Sequence, residues 1–102
     1  MHDLVGSRLE TIAQACRKNH VLRLELFGSA ASTRFDPDVS DIDFIVTFED
    51  LEPVSYTEAY FGIAEDLEEL FKRPVDVIVE STLKNPYFIQ EIQKTRTLVY
   101  AA

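Results

Sequence analysis

A chain of 102 residues is one domain, 1–102, able to bury somewhat over about 60% of its unfolded surface. Its 46% hydrophobic and 27% charged residues are ordinary for a globular protein, no apolar run approaches a membrane span, and no signal-peptide pattern opens it, so a cytoplasmic location is expected. The formal net charge of −8 excludes broad nucleic-acid binding through basic surface. A nucleotide substrate then needs metal to carry positive charge, and a basic protein partner also suits such a surface. The single cysteine, Cys16, has no partner for an internal disulfide and reads as a small core residue.

In chain order, Val5, Leu9, Ile12 and Cys16, with Ala13 alongside, have helical spacing and predict a helix over Asp3–Lys18. Asp3 caps its start, and Arg17 and Lys18 suit the negative end of its dipole. Strand one follows from Val21 to Phe27, with Leu22, Leu24 and Leu26 on one face and Arg23 and Glu25 alternating. Gly28 sits where the backbone turns sharply or approaches a ligand closely, and Ser29–Thr33 begins a short helix whose first amides suit an anion. Gly6 and Gly62 fall inside helical patterns, where glycine is merely tolerated.

The polar loop Arg34–Ser40 leads to strand two, Asp41–Phe48, and Glu49–Pro53 reads as an acidic loop. Ser55 and Glu58 have capping-box spacing for a helix bearing Ala59, Tyr60, Ile63, Ala64, Leu67, Leu70 and Phe71, its other face acidic. Pro74 stops that helix before strand three, which ends near Glu80. Asn85-Pro86 opens another helix, with Ile89 and Ile92 inward. Leu98-Val99-Tyr100 is a short final strand or an extended tail. The expected fold is α/β, a small mixed sheet of three to four strands flanked by helices. Its strand order does not follow from the pattern.

Asp41 and Asp43 stand at i and i+2 of a strand and share a face, while Ile42, Phe44 and Val46 point into a core. Two carboxylates about 5 Å apart repel by roughly 3 kcal/mol at an effective dielectric near 20. Either a cation neutralises such a pair or one member holds a proton. Asp76, inside Val75-Asp76-Val77-Ile78-Val79, is a third acid that needs a partner at the sheet. Taken alone, Asp41 and Asp43 also read as solvated edge acids. Gly28-Ser29 upstream and the interleaved apolar residues favour a metal site.

Gly28-Ser29 followed by Asp41-Ile42-Asp43 resembles the signature of the DNA polymerase β-like nucleotidyltransferase superfamily. Chain length and the tail Leu83-Lys84-Asn85-Pro86-Tyr87-Phe88 look like its minimal nucleotidyltransferases, the antitoxin partners of HEPN-domain toxins. That resemblance implies a polymerase β palm-like fold. It implies that Asp41, Asp43 and Asp76 are the catalytic metal ligands, holding two magnesium ions, with manganese as the substitute. Gly28 and Ser29 would meet the nucleotide phosphates. The implied activity is transfer of a nucleoside monophosphate, AMP from ATP, to a hydroxyl of a HEPN ribonuclease toxin, in a homo- or hetero-oligomer.

Where family members often carry Arg-Gly in the loop, this chain has Ser32 and Thr33, and its only loop cation is Arg34. Arg34 either reaches the phosphates from its shifted place or is a solvated loop residue. The departure also admits an alternative, a non-catalytic antitoxin that neutralises its partner by contact. A plain cation-binding regulator is a third class, and it leaves Gly28-Ser29 unexplained. Tyr56, Tyr60, Tyr87 and Phe88 read as packing or rim residues, and His2 and His20 as remote from the acids.

Overall fold

The computed structural model of the protein describes residues 1–31 and 41–102. Helix α1 spans Asp3–Gly6 and α2 spans Leu9–Lys18, so the single N-terminal helix read from the sequence is broken. Gly6 and Ser7 are poor helix formers, and the Arg8 guanidinium donates to the Leu4 carbonyl at the break. Asp3 lies in the first turn; the cap is His2, whose Nδ1 accepts from the Leu4 amide at 3.0 Å. Cys16 is fully buried, and burial pushes its thiol up to about 12, so it is an inert core side chain.

Strand β1, Val21–Phe27, has the predicted bounds. The pairing register slips between Val21 and Arg23, a bulge that turns Leu22 outward and leaves it exposed. Leu24 and Leu26 are buried as expected. A 3-10 turn over Gly28–Ala31 follows, and β2 runs from Ile42 to Phe48. Helix α3, Pro53–Phe71, begins earlier than its capping-box pattern suggested. Proline occupies the first turn, and Ser55 and Glu58 lie inside the helix. It closes on Lys72 in the left-handed conformation, φ 54°. Strand β3 is Val75–Val79, α4 is Pro86–Gln93 and β4 is Thr97–Ala101, which makes the C-terminal segment a true strand. Asn85 caps α4, its side-chain oxygen accepting from the Tyr87 and Phe88 amides.

The sheet order is β3-β2-β1-β4. Strand β1 is antiparallel to both neighbours, and β2 is parallel to β3, with α3 as the crossover that parallel pairing requires. One face carries Leu24, Leu26, Ile42, Phe44, Val46, Val75 and Val77 against α2 and α3, and this is the main core. The other face carries Phe27 and Ile45, covered by Ile92 of α4. Among the described residues, no helix is long and apolar enough to cross a membrane.

Two packing details join distant parts of the chain. Asn19, buried at the end of α2, donates to the Ala15 carbonyl and to Asp66 Oδ2, both at 2.8 Å. A Cβ at Gly62 would stand 2.1 Å from Asn19 Oδ1, so Gly62 is required for this contact rather than merely tolerated. On the opposite sheet face Glu25 is buried against Arg96 through two bonds of 2.6 and 2.7 Å, and Arg96 also reaches Glu80 at 2.7 Å.

Candidate active site

The antiparallel register sets Phe27 beside Asp43, and the parallel register sets Asp43 beside Asp76. All three therefore form one row across β1, β2 and β3 on the face away from the main core. A cleft of about 460 Å³ opens above them, lined by Phe27, Asp43, Asp76, Tyr60, Ile78 and Phe88 among others. Phe88 meets Phe27 edge-on with ring centres 6.2 Å apart. Tyr60 crosses from α3 and donates its hydroxyl to the Val77 carbonyl at 2.9 Å.

Burial, then the hydrogen bond to Asp76 and the charges of Asp76 and Asp41, push the Asp43 carboxyl up to about 6. Removing water and crowding negative charge both disfavour a second carboxylate. Asp41 precedes the first residue of β2 and is exposed. Among the described residues, no three His, Cys, Asp or Glu side chains are gathered closely enough to hold a metal. Asp43 and Asp76 are joined, while Asp41 acts on Asp43 through its charge. Ser32, Thr33 and Arg34 lie outside the described residues, as does the rest of the loop to Ser40.

The glycine turn lies against the acid pair. Gly28 has φ +74°, and a Cβ there would sit 2.8 Å from Asp43 Oδ2. Only glycine brings backbone this close to the carboxylate in this conformation. The turn is tied from both ends of the chain: the Gly28 amide donates to Thr95 Oγ1 at 2.8 Å, and the His2 amide donates to the Ala30 carbonyl at 2.9 Å. The Gly28 amide, expected to meet a phosphate, is thus engaged by Thr95. Tyr60, read as a packing or rim residue, lines the cleft; sequence reading missed Thr95 and the tie through His2. Each acts across a long sequence separation, and no local spacing signals it.

The family model described as a nucleotidyltransferase domain matches residues 9–99. The chain belongs to this nucleotidyltransferase family. The chain is similar to "Putative protein adenylyltransferase" of Methanocaldococcus jannaschii, 34% identical over 77 residues, which is 76% of this chain and 75% of that one. It resembles a solved "putative minimal nucleotidyltransferase" with a TM-score of 0.72 and 24% identity, covering 94% of each chain. It also resembles a chain of the complex between a tri-AMPylated HEPN toxin of Shewanella oneidensis and an MNT antitoxin. There the TM-score is 0.62 at 19% identity, covering 96% of this chain and 73% of that one. At these identities the two structural matches speak for the fold. The nucleotidyltransferase thus has the small mixed sheet and flanking helices expected from its sequence.

Proposed function

We propose that this nucleotidyltransferase transfers AMP from ATP to a side-chain hydroxyl of a HEPN toxin and so acts as its antitoxin in the cytoplasm. The observation that carries the chemistry is the Asp43–Asp76 pair seated under the close-approaching Gly28 backbone. The acceptor class is supported by the adenylyltransferase name of the archaeal relative and by the AMPylated toxin in the neighbouring complex.

The acids fit a divalent cation. They are hard oxygen donors, and their mutual repulsion, visible in the raised Asp43 value, is what a cation would relieve. Asp41, Asp43 and Asp76 are the residues that would hold magnesium. When bound, the ion would neutralise triphosphate charge and stabilise the leaving pyrophosphate. Ser29 would donate to the terminal phosphates, and Gly28 would keep the turn low enough for them to lie over Asp43. Asp76, exposed on β3, faces the acceptor side and takes the proton of the incoming hydroxyl. That oxygen bonds the α-phosphorus as the bond to the β-phosphate oxygen breaks, and pyrophosphate leaves. Phe27, Tyr60 and Phe88 give the cleft apolar walls that limit competing water.

Intact-mass spectrometry of the co-expressed partner tests this reading. Wild type should add AMP to the partner, and Asp76→Asn should add none while still forming the complex. Cells protected from the toxin without any mass gain would instead establish the contact-only antitoxin.

A further inference from the structure

Beyond the acids and the glycine turn, the segment after α4 reaches into the same end of the sheet. Thr95 follows the α4 cap residue Lys94, and its amide donates to the Ile92 carbonyl at 3.1 Å. Its own carbonyl accepts from Thr97 Oγ1 at 2.8 Å. The next residue, Arg96, is clamped onto buried Glu25 of β1 and onto Glu80 beyond β3. Glu25 lies on β1, the strand that ends at Phe27, directly before Gly28. Thr95 is therefore fixed relative to the strand whose turn it contacts. Its Oγ1 accepts the Gly28 N–H at 2.8 Å. This bond fixes the peptide plane entering Gly28, and the residue's φ of +74° brings its Cα against Asp43.

We infer that Thr95 is a positioning residue of the transfer reaction. It holds the glycine turn against Asp43, so that a phosphate on the turn would lie beside the cation that the acids would hold, and the Arg96 clamp keeps Thr95 in place. The inference rests on the proposed AMP transfer for its kinetic part. Its structural part, control of the turn by the Thr95 hydroxyl, stands apart from that reading. A threonine that served only to join α4 to β4 would affect stability and leave the turn unchanged. A positioning threonine acts on Gly28 itself and on turnover in the folded enzyme.

The test compares Thr95→Val, which removes the acceptor at nearly constant shape, with Thr95→Ser, which retains it. In the full chain, the Gly28 amide should exchange with solvent about tenfold faster in Thr95→Val, the scale of one neutral hydrogen bond. Thr95→Ser should restore protection. With the toxin partner and magnesium ATP, kcat should fall by about the same factor in Thr95→Val, KM for ATP should change less, and serine should recover kcat. Unchanged Gly28 exchange in a folded Thr95→Val protein overturns the inference, as does altered exchange with unchanged kcat. If wild type transfers nothing while the exchange contrast appears, the AMP-transfer reading fails together with the kinetic role, and control of the turn survives.

Discussion

Asp43 and Asp76 are direct partners across the parallel β2–β3 pair, and the fold brings them together against their own repulsion. Two adjacent acids on a half-covered sheet face do not serve the stability of a small domain. They fit the cation-binding centre proposed above.

The sign of their pH dependence follows. The Asp43 carboxyl rises from 3.8 to about 6 on folding, so the folded state holds its proton more tightly than the unfolded state does. Between those values the metal-free fold loses stability as pH rises, and above about 6 the whole loss is present. Asp43→Asn should therefore stabilise the metal-free protein by about 1–2 kcal/mol near pH 7.5, after allowing for solvent screening. The gain should vanish near pH 2.5, well below both values, where wild-type Asp43 is protonated in both states. Urea unfolding in the presence of chelator at both pH values measures it. Magnesium should raise the melting temperature of the wild type, and the same substitution should remove that rise.

Glu25 titrates the other way. Its hydrogen bond to Arg96, followed by the charges of Arg96 and Arg23, outweighs burial and holds its carboxyl below the usual 4.5. The stability it contributes is complete above that value and disappears as pH falls through the lower folded one. Glu25→Gln should cost about 3 kcal/mol at neutral pH, because among the described residues it leaves a mostly covered guanidinium with Glu80 alone as its carboxylate partner. The gap between variant and wild type should close in strong acid. Denaturant midpoints across acid pH check both the size and the direction.

A third expectation concerns Gly62. Glycine to alanine inside a helix is ordinarily stabilising by roughly 1 kcal/mol. Here the new methyl group would displace the Asn19 side chain and its bonds to Ala15 and Asp66. Gly62→Ala should thus lower stability by about 1–2 kcal/mol net. Pairing it with Asn19→Ala should recover part of the loss, as a double-mutant cycle by thermal unfolding would reveal.

Much of the fold was legible from local pattern. Alternating apolar residues and a terminal glycine bounded β1 correctly, and Asn85-Pro86 marked the start of α4 because cap chemistry is local. The acids at 43 and 76 were each legible because each interrupts an apolar strand, but the sequence paired Asp43 with Asp41, and only the strand register sets it beside Asp76. Other features were decided at long range. The bulge that exposes Leu22, the need for Gly62 and the engagement of the Gly28 amide each depend on a neighbour remote in sequence. The broken N-terminal helix is different, since Gly6-Ser7 was a local signal outweighed by the apolar spacing around it.

The sheet order has one further consequence. Asp43 lies on the interior strand β2 and Gly28 directly follows the interior strand β1, whereas Asp76 rides on β3 at the margin of the sheet. Margin strands open more readily than central ones, because they are secured by hydrogen bonds on one side only. In the proposed reaction the two halves of the site would therefore differ in compliance: a firm bed for the nucleotide, and a yielding flank for the incoming hydroxyl. Breathing of β3, held back by the Tyr60–Val77 bond, would widen the entrance for a bulky folded protein while the nucleotide bed stays in register.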